Sequence, residues 1–275
     1  MEWLSEPFGF DFMRAALAGG IIAAIACALL GVHLVLRGMS FLGDALAHAA
    51  LPGVVTAQML GISLLVGAFS ASLATALLVA WIARRRAVSE DSSLGVAYTG
   101  MFALGIVLLN RVGSYRDLAH LLLGNLLGIT WSEVAIMAGL LVGIVLILAL
   151  CHRQLLATTI DPHYCTRIGC NADLTRMVLL VLCAATIVMG IRVAGVVLTS
   201  AMLITPAATA RLLDWRLVPT QVLAASISVL AIFVGLLLAY HLDLSGGAAV
   251  VLVLTAVFLI VRVGTALRQR SPASE

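Results

Sequence analysis

A carboxylate and an imidazole stand four residues apart, at Asp44 and His48, in a stretch of sequence apolar enough to cross a membrane. Residues four apart lie on one face of an α-helix, ~6 Å apart along its axis, so their side chains can share one cation. An ionised Asp inside a span costs ~2.5 kcal/mol or more unless it faces water, a partner or an ion. The pair therefore indicates a path for a metal ion. The alternative is an Asp–His hydrogen bond that joins two helices.

Pro52 and Gly53 follow this pair and interrupt the same span. Proline has no N–H and clashes with the carbonyl four residues earlier, which is that of His48, so the sequence predicts a kink beside the pair. Gly53 is expected to add flexibility there. Interrupted helices near the membrane midplane are typical of transport sites, although Pro52 could also be a simple packing kink.

A second proline interrupts a later apolar segment, residues 198–210. Pro206 frees the carbonyl of Met202, which predicts a moving or gating helix. The thioether of Met202 is a candidate soft ligand for a metal, although methionine in an apolar span ordinarily fills space.

Five further polar residues are auxiliary candidates. His33, late in the first span, is either an additional ligand or a hydrogen-bond donor between helices. Glu90 and Asp91 begin the fourth apolar segment, where acidic groups favour a helix N-terminus, so they are expected to cap it. His241 and Asp243 lie in a loop where they could sample incoming metal, touch a partner or be solvated polar groups.

The composition indicates a protein embedded in a lipid bilayer. Hydrophobic residues make up 63% of the chain, charged residues 11%, and the mean hydropathy is +1.15. The apolar runs are ~18–25 residues long and do not alternate, so the sequence predicts an all-α polytopic bundle, one membrane domain over residues 1–275. We expect about nine spans, or eight if the sixth and seventh form one broken helix: 15–36, 41–60, 62–83, 93–110, 132–150, 177–191, 193–213, 219–240 and 246–264.

The positions of the arginines indicate how the chain is oriented in the membrane. All 16 basic residues are arginine, and they sit in short loops, so the net charge of +3 does not indicate nucleic-acid binding. Cytoplasmic loops carry the excess of Arg, which puts residues 84–86 and the loop 151–176 inside. The alternation of spans then predicts an N-terminus outside and a C-terminus in the cytoplasm.

The cytoplasmic loop contains signals for a short helix at about 158–170. Asp161 is a good N-cap, Pro162 suits the first helical position, and Gly169 can take the left-handed conformation that ends a helix. The sequence has no G-x-x-x-x-G-K-[ST] loop and no nucleophile–base arrangement, so we expect a non-catalytic subunit.

Residues 37–53, RGMSFLGDALAHAALPG, resemble the second-span motif R-x-x-S-x-x-G-D-A-x-S-H-A-x-L-P-G of the manganese/zinc/iron permease family of ABC transporters. Ala47 stands where the family usually has Ser. The resemblance covers essentially the whole chain and continues at Glu90-Asp91 with Gly95, at 123–125, at Asp161-Pro162 with Gly169, at 205–208 and at 243–247.

This resemblance implies a permease subunit of an ATP-driven importer of manganese, zinc or iron in the bacterial inner membrane. It implies a homodimer, two cytoplasmic ATP-binding subunits, an extracytoplasmic metal-binding protein, and no permanently bound cofactor. Asp44 and His48 would line the metal path, and the segment with Asp161, Pro162, Arg167 and Gly169 would contact the ATPase. The alternatives are a proton- or sodium-coupled secondary metal transporter and a permease for a metal chelate.

Overall fold

The protein is a bundle of α-helices, described by a computed structural model over residues 6–83, 89–112, 126–160, 165, 169, 171–213 and 216–270. These residues contain no strand, which confirms the all-α prediction. The helices are α1 (Asp11–Leu36), α2 (Leu42–Ala49), α3 (Leu51–Leu60), α4 (Leu64–Ala83), α5 (Glu90–Val112), α6 (Trp131–Leu150), α7 (His152–Ile160), α8 (Ala172–Arg211), α9 (Leu217–Leu242) and α10 (Gly246–Arg270).

Two of the membrane passes are irregular. Seven helical segments in the described residues are each long and apolar enough to cross a membrane. The short helices α2 and α3 together make a further, broken pass, as Pro52 predicts. The other irregular pass is the second half of α8. The 40 residues of this helix contain one non-helical residue, Gly195, at φ 77° and ψ 174°.

At Gly195 the helix α8 folds back on itself. A methyl group added to Gly190 would lie 2.9 Å from Oγ1 of Thr199, so these two residues touch. Nine residues of straight helix span ~13.5 Å, so the contact requires a sharp bend at Gly195.

Before the bend Arg192 pairs with Glu133 at the start of α6, near the Asp11 end of α1. After the bend Ala207 lies beside Gly31, towards the other end of α1, so the second half runs back along the first. The halves correspond to the sixth and seventh predicted spans, which brings the passes in the described residues to about nine.

The break expected at Pro206 is absent, and this part of the prediction is wrong. The second half of α8 runs through Pro206 as a continuous helix, and the only non-helical residue of α8 is Gly195. A proline removes one hydrogen bond, which neighbouring packing can compensate in a membrane helix. Here the next residue, Ala207, is buried, and its Cβ would lie 3.3 Å from a methyl group on Gly31 of α1.

Small residues allow α1 to pack closely at the centre of the bundle. A buried cluster joins α1 to α8 and α9 through side chains no larger than valine: Ala28, Val32, Ala207, Ala210 and Ala224. Lipid tails are as apolar as the helix surfaces, so close packing rather than hydrophobicity holds such helices together.

Contacts at the two ends of α1 agree with the predicted alternation of spans across the membrane. At one end of α1, Asp11 accepts a hydrogen bond from the indole Nε1 of Trp131 at 3.2 Å. At the other end, Arg37 donates to Thr159 of α7 at 3.1 Å. The first and fifth passes therefore run in the same direction, with residue 37 and the 151–176 loop on the same side.

Candidate metal site

Asp44 and His48 project from one face of α2 towards each other. The His48 Nε2 lies 3.6 Å from Oδ1 of Asp44, which is too long for a hydrogen bond. Two atoms that each bind a metal ion at ~2.0–2.2 Å lie ~3.3–3.6 Å apart in a tetrahedral site, so this spacing fits two ligands of one ion. The direct Asp–His bond of the alternative interpretation is not formed.

The pair lies near the middle of the membrane-spanning layer. Ser72 of α4 donates a hydrogen bond at 3.2 Å to the carbonyl of Leu46, which stands between Asp44 and His48 in sequence. Ser72 lies inside the 20-residue helix α4, ~12 Å along the axis from Leu64 and ~17 Å from Ala83. The side chains of Asp44 and His48 are nevertheless 34% and 22% exposed at the surface of this chain.

An aromatic wall from α5 borders the imidazole of His48. The ring of Phe102 meets it edge-on with centroids 5.6 Å apart, and the ring of Tyr98 lies at 6.0 Å. Phe41 packs edge-on against Tyr98 at 5.8 Å. Sequence reasoning missed this wall, although Tyr98 and Phe102 are four apart on one helical face. The wall restricts the imidazole on one side.

The predicted interruption lies directly after His48. Helix α2 ends at Ala49 and α3 begins at Leu51, with Pro52 in its first turn. Between them the N–H of Ala50 bonds to the carbonyl of Ala47 at 3.4 Å, three residues back rather than four. The Asp44–His48 pair therefore lies in a short helix that ends directly after His48.

Gly53 packs tightly against the neighbouring pass instead of forming an open hinge. A methyl group on Gly53 would lie 2.6 Å from Cβ of Ala71 in α4 and closer still to the carbonyl of Gly67. A methyl group on Gly67 would likewise collide with the carbonyl of Gly53. Glycine is thus required here because two backbones touch, which differs from the flexibility expected from the sequence.

The pair does not complete a metal site within one chain. Over the described residues, no three His, Cys, Asp or Glu side chains lie close enough together to hold a metal ion. Divalent transition metals take four to six ligands, so two side chains leave at least two positions for water, backbone or another chain.

His33 and Met202 lie elsewhere in the bundle. The Nε2 of His33 is 3.2 Å from the amide nitrogen of Gln221 on α9, which is the helix-to-helix contact of the alternative interpretation. The ring is buried. Met202 is also fully buried, within the apolar core.

The remaining auxiliary candidates lie at helix ends. Ser89 caps α5, since its Oγ accepts from the N–H of Ser92 at 3.1 Å. Glu90 and the exposed Asp91 occupy the first turn of that helix. Asp243 ends α9 in the left-handed conformation at φ 51°, and His241 contacts Tyr240 edge-on at 5.2 Å.

Most of the predicted ATPase-contacting segment lies outside the described residues. This applies to Asp161, Pro162 and Arg167. Gly169 is described, and its φ of +81° is the left-handed conformation predicted for it.

An ion pair that the sequence did not predict joins α8, shortly before its bend, to the start of α6. Glu133 Oε1 accepts from Nε and Nη2 of Arg192, both at 2.6 Å. The other carboxylate oxygen accepts from the N–H of Thr130 at 3.0 Å and closes a capping box on α6. The T-x-x-E spacing of Thr130 and Glu133 is the signal that could have identified this helix start.

Comparison with known proteins gives consistent matches over nearly the whole chain. The ABC 3 transport family matches residues 9–264. The chain is 36% identical to the "Probable iron transport system membrane protein" of Haemophilus influenzae over 98% of this chain and 99% of that protein. It is also 36% identical to the "Manganese transport system membrane protein MntC" of Halalkalibacterium halodurans, over 94% of this chain and 89% of that protein. In the solved structure "PsaBC from Streptococcus pneumoniae in complex with Fab", one chain superposes with a TM-score of 0.83 at 32% identity, covering 94% of both chains.

Proposed function

This chain belongs to the ABC 3 transport family, as its sequence motifs predicted, and we propose that it is the membrane permease subunit of an ATP-driven importer of divalent transition-metal ions. Two of the proteins to which it is similar are named for transport of iron and of manganese. We include zinc because Asp and His bind all three metals and selectivity follows geometry and availability. The metal is cargo, and the subunit itself carries out no bond chemistry.

The observation that carries the proposal is the Asp44–His48 pair. Its Nε2–Oδ1 distance of 3.6 Å suits two ligands of one ion, and it lies near the middle of a span. A carboxylate at that depth is costly unless a cation, water or protein compensates it. A transported divalent ion would provide that compensation at the point where the barrier to crossing is highest.

The exposure of the pair supports a homodimer. One third of the Asp44 side chain faces outwards from this chain, and lipid cannot solvate a carboxylate. A second copy that placed its own α2 opposite would cover the surface and supply two more side-chain ligands. Two carboxylates and two imidazoles would then surround one path, which meets the coordination number that a single chain leaves incomplete.

The energy source and the delivery of metal come from partners in this proposal. Two cytoplasmic ATP-binding subunits would contact the segment from Asp161 to Gly169, next to α7. An extracytoplasmic metal-binding protein would approach the opposite side, where Asp243 and His241 lie at the end of α9. The N-terminus would be outside and the C-terminus in the cytoplasm, following the arginine bias.

Uptake by reconstituted vesicles tests the function. The chain, its ATP-binding subunit and its metal-binding protein are reconstituted, and entry of Mn²⁺, Fe²⁺ and Zn²⁺ is measured with ATP or with a non-hydrolysable analogue. We expect entry of at least one ion that requires hydrolysis. Entry driven instead by a proton or sodium gradient without the ATP-binding subunit would identify a secondary transporter and overturn the proposal.

A further inference from the structure

Arg37 connects α7 to α2. Helix α7 precedes the segment that we expect to contact the ATPase, and α2 carries Asp44 and His48. Its Nη2 donates to Oγ1 of Thr158 at 2.7 Å and to the carbonyl of Leu155 at 3.3 Å, and its Nε donates to Oγ1 of Thr159 at 3.1 Å. All three acceptors belong to α7, more than 100 residues away in sequence. Arg37 itself directly follows the last residue of α1.

This contact is specific rather than an incidental surface pair. The planar guanidinium directs several N–H groups in fixed directions, and three acceptors on one helical turn match them. Arg37 is half-buried and Thr158 is buried, so water cannot replace these bonds freely. Separating Arg37 from α7 would leave a half-buried charge without its acceptors, which costs free energy. The bonds therefore favour joint movement of residue 37 and α7.

The connection from Arg37 to the metal pair is short and stiff. The N–H of Met39 bonds to the carbonyl of Leu34 at 2.9 Å, and that of Gly38 to the carbonyl of Val35 at 3.2 Å, which together form a Schellman turn. Gly38 has the left-handed φ of +70° that this turn requires. The N–H of Leu42 then bonds to the carbonyl of Met39 at 3.1 Å, and α2 begins.

The beginning of α2 is also held firmly against the bundle. A methyl group on Gly43 would lie 2.6 Å from Cδ2 of Leu203 in the second half of α8. Asp44 follows Gly43 directly. A displacement of Arg37 relative to α8 therefore cannot be absorbed by a loose loop and must move or re-pack the segment that positions Asp44 and His48.

We propose that Arg37 is the positioning residue that passes movement of α7 to α2, so that nucleotide-driven movement at the ATPase changes the geometry of the Asp44–His48 pair. This inference rests on the proposed function, because α7 ends at Ile160, immediately before the segment that we expect to contact the ATPase. Arg37 touches no metal in this scheme. It acts through the turn at residues 37–41.

The test uses the complete complex with its ATP-binding subunit. Arg37→Ala removes every bond to α7, and Arg37→Lys keeps the charge but loses the planar fork. Thr158→Val with Thr159→Val removes two acceptors while leaving Arg37 in place, which guards against a folding defect of the arginine variants. Arg14→Ala is the control, since Arg14 lies at the opposite end of α1 and, among the described residues, its side chain bonds to the nearby carbonyl of Phe8.

Two quantities are measured. The first is metal ions moved per ATP hydrolysed, which we expect to fall ~10-fold or more in Arg37→Ala and in the double threonine variant, less in Arg37→Lys, and not in Arg14→Ala. The second is amide hydrogen exchange at residues 42–49 with and without an ATP analogue and no metal. We expect a nucleotide-dependent change in wild type that is lost in Arg37→Ala while assembly and basal hydrolysis persist.

The two readouts separate this inference from the proposed function. A wild-type complex that moves no metal contradicts the proposed function, whereas the exchange measurement still decides the role of Arg37. Wild-type metal-to-ATP ratios in both the Arg37→Ala and the double threonine variants, or an undiminished nucleotide response at residues 42–49, would overturn the inference.

Discussion

Replacement of Gly53 by alanine distinguishes close packing from flexibility as the reason for this glycine. In the structure the added methyl group would lie 2.6 Å from Cβ of Ala71, whereas carbon atoms in contact prefer ~3.5–4.0 Å. The carbonyl of Gly67 is nearer still. Helices α3 and α4 must therefore separate by ~1 Å or more, because a backbone carbonyl and a Cβ atom cannot rotate away.

The expected cost follows from that geometry. Overpacking ordinarily destabilises by ~1–3 kcal/mol, and a backbone obstacle places Gly53→Ala at the upper end, ~3 kcal/mol. The matched control is Gly139→Ala in α6, where no described residue of another element lies within 4 Å of the added methyl group. Alanine is favoured over glycine inside a helix by ~0.5–1 kcal/mol, so the control is expected to be neutral or slightly stabilising.

Thermal unfolding of the purified protein in mild detergent, followed by the fluorescence of its four tryptophans, measures this difference. A loss of ~3 kcal/mol corresponds to a midpoint lower by roughly 6–12 °C for a chain of this size. If Gly53→Ala unfolds at the wild-type temperature yet slows metal uptake, packing is refuted and the flexibility expected from the sequence is the better explanation.

Three other perturbations test the fold and its orientation. Gly195→Ala forces an L-residue into φ 77°, ψ 174° and is expected to lower the free energy of unfolding by ~1–3 kcal/mol; an unchanged midpoint would contradict the fold-back of α8. Glu133→Gln weakens a charge-assisted pair with Arg192 and is expected to cost ~1–2 kcal/mol in the same assay, whereas the same substitution at the exposed Glu6, Glu6→Gln, should change stability by less than ~0.5 kcal/mol. In intact cells a membrane-impermeant thiol reagent should label Asp243→Cys but not Arg153→Cys, both exposed positions, and the reverse pattern would invert the topology.

The sequence predicted the passes well because lipid imposes a simple rule. Apolar runs of ~20 residues must form helices to satisfy their backbone groups, and the apolar segments of the chain correspond to helices in the structure. The break beside His48 was also predictable, since Pro52 changes the local hydrogen bonding whatever the helix packs against.

The arrangement of the helices could not be predicted in the same way. Membrane helices are apolar on all sides, so periodicity does not reveal which face meets which neighbour. The aromatic wall of Tyr98 and Phe102 around His48, the contact of Arg37 with α7 and the close approach of Gly53 to Gly67 all depend on packing between distant segments.

The position of the break in α8 shows a further limit. Pro206 has a strong intrinsic preference against helix interiors, yet packing against α1 keeps its helix continuous. Gly195 stands between ordinary apolar residues, and only its backbone conformation marks it as the turn. Glycine is common in membrane helices, so residue type alone did not distinguish a turn from a packing site.

Metal uptake by Asp44 and His48 variants tests the central claim most directly. Asp44→Asn keeps the shape of the side chain and removes its charge, and His48→Gln keeps a polar side chain but removes the imidazole ligand. The control is Glu6→Gln, which removes one charge at an exposed position outside the pair. We expect both site variants to assemble with the ATP-binding subunit and hydrolyse ATP, yet to move metal at least ~10-fold more slowly than the control. Wild-type uptake by a chain carrying both substitutions would contradict the account, and failure of the site variants to fold would identify the pair as structural instead.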